Sequence, residues 1–416
     1  MVIWMIVAAL LVYFGLSVGY LFILSVAGRF WYKTPAGQNA PGQTQTQAQT
    51  QAQTPETETQ AQTPRSIAIL VPAYREDGVI ISTAQHLLDL AWPGTRCDIH
   101  IIADSLQPGT VAKLRSLPVN VLEVSFPKST KTRSLNAFFL SNKKQYDLAL
   151  ICDADNMLGQ DFLQKVNTAF DQGARAVQGR RVAKNIDTPI AMLDACSEGI
   201  NNHLFRQGPA ALGLSSALIG SGMVFEYDTL REIMPTIEAV GEDKILQLRI
   251  VEKGIRIEYL RDAIVFDEKI DSPKALQQQR RRWVYSQVAN LKEFFVPGFR
   301  QLFKGNISYF NLAVGNNLVL PRSFLLALLP LAVIGGFLAA PVLGYWALAI
   351  WGLYLVTLLV ALPPELFRKE LGQALLHLPK AVVVMLTTVF KLRSAGKTFI
   401  HTAHTKTTIS NNLYKQ

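Results

Sequence analysis

The stretch LALICDADN, residues 148–156, joins a short apolar run to two aspartates, and this combination indicates the fold. Similar β-branched runs recur between residues 67 and 268, separated by stretches with helical spacing. Such alternation is typical of βαβ units, so we predict an α/β domain with a mixed, mainly parallel sheet whose ligands bind beyond the carboxyl ends of the strands. The predicted strands are 67–74, 98–104, 120–125, 148–155, 256–260 and 263–268, and the predicted helices are 79–91, 133–145 and 243–253.

The composition of the 416-residue chain is both apolar and basic. Apolar residues make up 49% and charged residues 17%, yet Lys and Arg exceed Asp and Glu by 41 to 31, a net charge of +10. A basic chain can bind nucleic acid, an anionic leaflet or an anionic small substrate. The long apolar runs favour the last two, so we expect no nucleic-acid partner. Cys97, Cys152 and Cys196 form no CxxC pair, which fits a reducing compartment.

Three uncharged segments are long enough to cross a lipid bilayer as helices: 1–27, 323–340 and 343–362. The first positive charges, Arg29 and Lys33, follow the first segment, whereas a cleaved signal peptide begins with its basic residues. The positive-inside rule then places the N-terminus outside and the following chain in the cytoplasm. The sequence therefore predicts a multi-pass protein of the cell inner (plasma) membrane with a cytoplasmic α/β domain.

Changes in composition divide the chain into six parts. A Gln/Thr/Ala tract lacks large apolar residues and is expected to be a flexible tether. The apolar run 381–390 is too short to span unaided, and we expect it to lie in the membrane interface. The predicted parts are a transmembrane helix at 1–28, a Gln/Thr-rich disordered linker at 34–64, the cytoplasmic domain at 65–272, amphipathic interface helices at 273–322, a transmembrane hairpin at 323–362, and an interfacial helix with a cytoplasmic tail at 363–416.

The two aspartates of the opening stretch, Asp153 and Asp155, stand at positions i and i+2. In extended backbone this spacing points both carboxylates the same way, which suits oxygen ligation of Mg²⁺ or Mn²⁺ on the phosphates of a substrate. The alternative is a solvated turn at a strand end.

Two other predicted strands also end in polar side chains. VPAYRED (71–77) presents Tyr74, Glu76 and a second acid, and IIADS (101–105) ends with Asp104. A doubly wound sheet presents such groups to a nucleotide, and Asp104 could accept hydrogen bonds from a base or ribose. Ordinary loop polarity is the alternative for both.

Two predicted helix starts carry charged residues. In KSTKTRSLN (128–136), Lys131 could contact phosphate, because backbone N–H groups and the helix dipole favour anions there; a solvated lysine is the alternative. GEDKILQLRIVEKG (241–254) opens with Glu242 and Asp243. Asp243 could cap the helix, or it could be a general base for a sugar hydroxyl attacking an anomeric carbon.

QQQRRRWVYSQ (277–287) is an unusual cluster of amide, basic and aromatic residues. On a helix Gln279, Arg282 and Trp283 share one face, which could hold a pyrophosphate by charge and a sugar ring by stacking. Arg280 and Arg281 are expected to point elsewhere, towards lipid head groups. A purely juxtamembrane basic patch is the alternative, but it leaves the Gln and Trp spacing unexplained.

Together these stretches resemble the membrane-embedded family 2 glycosyltransferases, the group that includes cellulose, chitin and hyaluronan synthases. The likeness covers roughly 65–300 and the flanking spans, and it is carried by QxxRW at 279–283, Asp-x-Asp at 153–155 and the Glu-Asp pair at 242–243. The usual Thr-Glu-Asp of the family is Gly241-Glu242-Asp243 here. The resemblance implies the GT-A nucleotide-sugar fold and inversion, hence a β-linkage made from a UDP-α-sugar.

The resemblance also implies roles for individual residues. Asp243 would be the catalytic base, and Mg²⁺ or Mn²⁺ would be the cofactor. A growing polysaccharide is the expected acceptor, with an export partner subunit as a possible companion; the alternative is transfer of one sugar to a lipid carrier or glycolipid. Donor-binding residues would be Tyr74, Glu76, Asp104, Lys131, Asp153, Gln279, Arg282 and Trp283, with Asp153 and Asp155 as the metal ligands.

Two other enzyme classes are disfavoured by the sequence. A P-loop before the GKT at 396–398 would need glycine at position 391, which is Lys391. No GxGxxG follows a predicted strand, which counts against a dinucleotide oxidoreductase. A scaffold that only binds has no need for four carboxylates at these positions, so catalysis is the favoured interpretation.

Overall fold

An eight-stranded mixed sheet lies at the centre of the domain that follows the first apolar helix. The computed structural model describes residues 2–34, 63–90, 96–237, 241–388, 404–411 and 413–414. The strands are β1 (Ser66–Tyr74), β2 (Arg96–Asp104), β3 (Asn120–Val124), β4 (Leu148–Ile151), β5 (Met157–Leu158), β6 (Ala176–Ala183), β7 (Met223–Glu226) and β8 (Ile257–Asp267). Their order is β3-β2-β1-β4-β7-β6-β8-β5.

The sheet is parallel from β3 through β2 and β1 to β4, and again between β6 and β8. Strand β7 runs antiparallel to both of its neighbours, and β5 runs antiparallel to β8. This arrangement confirms the predicted mixed, mainly parallel sheet. It also brings the carboxyl ends of β1, β2 and β4 to one edge, which is where a ligand binds in such folds.

Helices cover the sheet and extend the chain beyond it. Residues His203–Gln207 and Asn311–Gly315 form single π-helical turns, and Met234–Thr236 and Pro364–Leu366 are 3₁₀ turns. The α-helices are α1 (Val2–Phe30), α2 (Ile80–Asp89), α3 (Pro108–Arg115), α4 (Lys131–Ser141), α5 (Phe162–Asp171), α6 (Pro189–Asn202), α7 (Gly208–Ala211), α8 (Tyr227–Ile233), α9 (Glu242–Glu252), α10 (Pro273–Phe303), α11 (Ile307–Phe310), α12 (Asn316–Leu318), α13 (Arg322–Ala339), α14 (Pro341–Ala361), α15 (Lys369–Leu376) and α16 (Leu378–Thr388).

Both faces of the central part of the sheet are buried, which explains why the central strands β1 and β4 are almost continuously apolar. Successive strand residues point to opposite faces. Leu70 and Ile151 therefore join one core, whereas Ile69 and Leu150 join the other. The cores hold the central strands rigidly, and the polar residues that follow them are placed at the carboxyl edge.

Three details of the predicted secondary structure are wrong. The runs 256–260 and 263–268 form one strand, β8, because a register shift opposite Gly179 and Arg180 lets it pass over the polar pair between the runs. Strand β4 ends at Ile151, before the aspartates, which lie in a turn. Strand β6 was not predicted, since AVQGRRVA has two arginines in a strand that is nearly all buried.

In the described part of the chain, three helices are long and apolar enough to cross a membrane: Trp4–Phe30, Arg322–Ala339 and Pro341–Ala361. The last two form the predicted tight hairpin, with Ala340 alone between them. Close contact in this hairpin requires glycine, because a Cβ at Gly336 would lie 2.9 Å from the backbone nitrogen of Gly344. Helix α1 packs against the hairpin through an apolar core.

Two other predicted segments are described only in part. The predicted linker lies outside the described residues, apart from residues 34, 63 and 64. The apolar run 381–390 belongs to α16 up to residue 388, and its last two residues also lie outside them. With eleven residues, α16 is shorter than a membrane span requires.

The predicted topology can be checked by cysteine labelling. A membrane-impermeant thiol reagent applied from outside should reach Val342→Cys, in the first turn of α14, and a cysteine at position 2. It should miss Thr110→Cys and Thr405→Cys until the membrane is permeabilised. The three native cysteines are buried or half-buried and contribute little background. Labelling of Thr405→Cys from outside would show that 381–390 crosses the bilayer.

Candidate active site

The carboxyl ends of β1 and β2 lie side by side, with Tyr74 opposite Asp104. The next residue of each strand, Arg75 and Ser105, has a positive φ of 55° and 59°. Non-glycine residues adopt this conformation rarely, and its cost is accepted mostly at functional sites. The Arg75 backbone N–H donates to the Asp104 carbonyl over 3.1 Å, which ties the two strand ends together.

The carboxylate of Asp104 is fully buried. Its Oδ1 accepts from the Ser105 hydroxyl over 3.0 Å, and its Oδ2 has no hydrogen-bond partner among the described residues. A buried acceptor without a partner is costly, so a ligand donor is a fitting partner for it. That Asp104 binds a base or ribose stays a prediction.

The segment after β1 contacts the distant C-terminal part of the chain. The Glu76 carboxylate lies 3.1 Å from Nδ1 of His404. Burial lowers the pKa of His404, but Asp155 and Glu76 outweigh it and raise the pKa to about 10, so the imidazole is cationic. Tyr74 lies under the Arg75 guanidinium, 5.2 Å from its ring centroid.

Lys131 is the central cation of the edge. It is the first residue of α4, whose cap is the Thr130 hydroxyl. Its Nζ contacts Oδ1 of Asp153, donates to the Gly220 carbonyl over 2.5 Å and lies 3.8 Å from the Glu242 carboxylate. Burial opposes the charge, yet these carboxylates raise the pKa of Lys131. The solvated-lysine alternative is therefore wrong.

Asp153 and Asp155 diverge, contrary to the prediction from extended backbone. They lie in a turn closed by the Asn156 N–H donating to the Asp153 carbonyl over 3.0 Å. Asp153 faces Lys131, whereas Asp155 is buried and accepts weakly from the Glu268 N–H, over 3.4 Å. Burial, together with the charges of Asp267 and Asp153, raises the pKa of Asp155 to about 6.

Helix α9 begins beside this cluster. Its N-cap is Gly241, with a φ of 91°, a left-handed conformation that glycine adopts without strain. Glu242 is buried, and burial with the charge of Asp243 raises its pKa to about 6, although Lys131 opposes the shift. Because the N-cap is Gly241 and Asp243 lies inside the first turn, the alternative that Asp243 is the N-cap is wrong. The Asp243 carboxylate accepts from the Lys244 N–H over 2.9 Å.

Helix α10 carries the QxxRW residues alongside this edge. A Cβ on Gly241 would lie 4.0 Å from the Ser286 hydroxyl, which places α10 against the start of α9. Oε1 of Gln279 is buried without a hydrogen-bond partner among the described residues. Burial lowers the pKa of Arg282. Trp283 keeps 38% of its surface exposed, which leaves aromatic surface for a ligand.

One expectation about α10 is wrong. Arg280 does not point away towards lipid: its guanidinium lies 4.4 Å from the Trp283 ring centroid and 2.5 Å from the Asp194 carboxylate. The reason is helical spacing, since residues i and i+3 are neighbours on the surface. Arg280 therefore orients the tryptophan.

A buried charged network behind the aspartates was not predicted. Arg181 lies 2.9 Å from Glu198 and 3.8 Å from Asp267, and Lys269 lies 2.6 Å from Asp267. Burial opposes ionisation of Glu198, but Arg181 and Lys269 lower its pKa to about 2. Asp267 also accepts from Asn156 over 3.1 Å, which anchors the aspartate turn. The sequence feature that could have indicated this network is the pair Arg180 and Arg181 within a mostly apolar run.

Comparison with known proteins identifies the family. Residues 64–286, which contain the strand ends, α9 and the QxxRW helix start, match the model of the family "Glycosyltransferase like family 2". This chain belongs to glycosyltransferase family 2. The match confirms the resemblance at family level and makes the chain a glycosyltransferase, while the narrower likeness to polysaccharide synthases stays a prediction.

Several relatives of this glycosyltransferase have named activities. An N-acetylglucosaminyltransferase of Rhizobium meliloti (strain 1021) is 23% identical over 237 residues, 53% of this chain and 55% of the relative. Another of Rhizobium leguminosarum bv. viciae is 24% identical over 305 residues, 69% of each. A beta-monoglucosyldiacylglycerol synthase of Trichormus variabilis is 27% identical over 225 residues, 52% of this chain and 48% of the relative. The chain thus spans about half the length of two of them.

The fold has a solved counterpart. The mannosyltransferase PcManGT from Pyrobaculum calidifontis, determined in complex with GDP-Man and Mn²⁺, aligns with 94% of this chain and 98% of its own, with a TM-score of 0.50 and 15% sequence identity. This likeness confirms the predicted GT-A fold with apolar helices in both terminal regions.

The carboxylates of this glycosyltransferase fit a divalent cation in part. Within the described residues, no three His, Cys, Asp or Glu side chains are grouped so as to hold a metal by themselves. Buried Asp155 carries an electrostatic cost from Asp153 and Asp267, which a cation would relieve. Mg²⁺ commonly takes only one or two protein carboxylates and completes its shell with substrate phosphates and water. The donor set therefore fits a metal that arrives with a diphosphate.

The raised pKa of Glu242 predicts that activity is low at acid pH and rises as this carboxyl group ionises, which gives the pH profile an acid limb. As the pH rises through about 6, Glu242 ionises and places a negative charge beside Asp243, the predicted base, so activity is expected to rise. At saturating Mn²⁺, metal binding keeps Asp155 ionised and leaves this limb to Glu242. We expect Glu242→Gln to abolish the limb between about pH 5 and 7 in a profile of kcat/KM. Glu252→Gln, at the exposed end of the same helix, should keep it; an unchanged limb in Glu242→Gln would contradict the assignment.

Proposed function

We propose that this chain is an inverting glycosyltransferase that moves a hexose or N-acetylhexosamine from a UDP-sugar to a growing β-linked polysaccharide at the cytoplasmic face of the membrane. The observation that carries the proposal is the cluster of Lys131, Asp153 and Glu242, with Asp243 beside it, at the sheet edge that also carries Asp104, whose Oδ2 has no partner among the described residues. It combines a nucleotide acceptor, a phosphate-binding cation and a base within one edge of the sheet.

The donor is held by charge and hydrogen bonding. Asp104 accepts from the ribose or base, and Tyr74 and Glu76 line the same edge. Lys131, at a helix start and already cationic, stabilises the diphosphate. A divalent ion held by Asp153 and Asp155 would supply further neutralisation of the leaving diphosphate.

The transfer itself is a single displacement. The acceptor hydroxyl oxygen attacks the anomeric carbon while the bond from that carbon to the diphosphate oxygen breaks. The hydroxyl proton passes to the Asp243 carboxylate, and the nucleoside diphosphate leaves with the bonding electrons. Lys244, 3.6 Å from Asp243, and Glu242 set the charge around this base. Attack opposite the leaving group inverts the anomeric centre and yields a β-linkage.

The QxxRW face is assigned to the sugars. Trp283 is half-exposed and stiffened by the stacked Arg280, as an aromatic platform for a sugar ring should be. Gln279 offers a buried amide oxygen without a described partner, a suitable acceptor for a sugar hydroxyl. Arg282 completes this face as a cation for the pyrophosphate.

The relatives named N-acetylglucosaminyltransferase support an N-acetylhexosamine donor.

The acceptor has two candidates, and the first is the growing polysaccharide. A single transfer to a lipid carrier is the second candidate, because the centre of the bundle of α1, α13 and α14 is filled by buried apolar side chains, among them Val18, Leu21 and Leu325. A polysaccharide cannot pass through that filled centre, so export would require a partner subunit or a second copy.

The test is a donor screen with product sizing. Membranes containing the chain are incubated with radiolabelled UDP- and GDP-sugars, and the products are separated by size and by extraction into organic solvent. A labelled polymer from a UDP-sugar supports the proposal, and a single labelled lipid supports the second candidate. No transfer from any nucleotide sugar would contradict both.

A further inference from the structure

A cavity of about 260 Å³ lies where the apolar helices meet the sheet domain. Arg29 at the end of α1, Arg261 in β8 and Pro363 after α14 lie in its wall. Arg180 also lines it, whereas Arg181 beside it reaches Glu198 and Asp267 in the network behind the aspartates. Arg29 is exposed, so the cavity opens to the surface there.

The cavity has an excess of positive charge. Its wall contains three guanidinium groups, those of Arg29, Arg180 and Arg261. Arg180 pairs with Glu365, but in the described part of the chain no ion pair joins a carboxylate to Arg29 or Arg261. Burial and the three arginines lower the pKa of His203, a further wall residue, and its Nε2 lies 2.8 Å from the Ser25 carbonyl. Of the three arginines in the wall, Arg180 is therefore the one paired with a carboxylate among the described residues, that of Glu365.

An unpartnered hydroxyl lies in the same wall. Tyr259 is 1% exposed, and its hydroxyl has no hydrogen-bond partner among the described residues. Its backbone carbonyl is already engaged by the Tyr32 hydroxyl over 2.7 Å, so the residue is firmly placed. A buried donor without an acceptor is unfavourable, and beside arginines the missing acceptor is best supplied by an anion.

We propose that this cavity binds a phosphate oxyanion, held by Arg29, Arg261 and the Tyr259 hydroxyl. Phosphate matches the guanidinium fork and accepts several hydrogen bonds at once. The cavity lies between the ends of α1 and α14, so if these helices span the membrane it faces the head-group layer, and an anionic phospholipid is one source. Free phosphate is the other. The site is separate from the proposed transfer reaction and does not depend on it.

The test counts bound ligand on the full chain in detergent. Native mass spectrometry measures retention of phosphatidylglycerol against phosphatidylcholine, and calorimetry measures inorganic phosphate. We expect one phosphatidylglycerol retained in preference to phosphatidylcholine, with affinity lowered about ten- to a hundredfold in Arg261→Gln and unchanged in Arg300→Gln, an exposed arginine of α10. Tyr259→Phe removes only the hydroxyl and should weaken binding about tenfold while the unfolding temperature stays near that of the wild type.

Each outcome decides the proposal. Phosphate binding that is lost in Arg261→Gln without retention of phosphatidylglycerol supports the anion site with free phosphate as its ligand. If Arg261→Gln fails to fold, Tyr259→Phe carries the result. Equal binding of both probes by the wild type, Arg261→Gln and Tyr259→Phe would overturn the proposal, as would retention of phosphatidylcholine as strong as that of phosphatidylglycerol.

Discussion

Replacing Asp243 with asparagine is expected to lower the rate of sugar transfer by about 10²–10⁴-fold, the usual loss on removing a general base. Asparagine keeps the shape and the hydrogen bond from the Lys244 N–H but cannot take a proton. The substitution does not remove a helix cap, since the N-cap of α9 is Gly241. Donor binding should persist, because Asp104 and Lys131 are the residues proposed to hold the nucleotide diphosphate.

The measurement for Asp243→Asn combines turnover with binding of a radiolabelled UDP-sugar. Asp89→Asn, at the exposed end of α2, is the matched control and should have wild-type activity. Wild-type turnover by Asp243→Asn would move the base elsewhere, with Glu242 the first replacement candidate and Glu76 the second. Loss of donor binding together with turnover would instead assign Asp243 to the donor site.

Removing divalent metal should abolish transfer, and this is the second large effect. Asp153, Asp155 and a diphosphate together carry more negative charge than Lys131 neutralises. We expect activity to fall to background in excess EDTA and to return with Mn²⁺ or Mg²⁺. Asp155→Asn should raise the metal concentration needed for half-maximal activity by about tenfold or more, since it removes a charged ligand. Full turnover in EDTA would contradict the metal requirement.

The same substitution gives an independent readout of the buried carboxylate. The pKa of Asp155 is about 6 in the fold against 3.8 ordinarily, so the folded state binds its proton more tightly than the unfolded chain does. Stability without metal therefore falls as the pH rises from about 4 through 6. Asp155→Asn lacks this cost, so its unfolding temperature in EDTA at neutral pH should equal or exceed that of the wild type. A large drop would make Asp155 a structural residue.

Much of the fold could be predicted because it depends on local patterns. Apolar strand runs such as 67–74 alternate with helical stretches, and this periodicity follows from the geometry of strands and helices. The three helices that are long and apolar enough to span a membrane follow from length and hydropathy alone. Strand β6 could not be predicted, since its Arg180 and Arg181 are acceptable in a buried strand only because carboxylates from α6 and from residue 365 reach them.

Some features of the candidate site could likewise be predicted from the sequence, and others could not. The types and order of Asp104, Asp153 and Asp243 are visible in the sequence, because each lies at or just after the end of a strand or in the first turn of a helix. The long-range partners of site residues are not visible in the sequence. The Glu76 carboxylate, for example, contacts His404, which lies 328 positions away. The turn that separates Asp153 from Asp155 depends on Asn156 contacting β8, a tertiary contact that no local spacing indicates.

The anomeric configuration of the product tests the central claim most directly, since a single displacement by an Asp243-activated hydroxyl must invert the donor carbon. The purified chain is supplied with the donor identified by the screen, labelled with ¹³C at its α-configured anomeric carbon, and the newly formed linkage is followed by NMR from the first turnover. The account predicts a β-linkage in the wild type, formed about 10²–10⁴ times more slowly in Asp243→Asn. A product that retains the α configuration would contradict it.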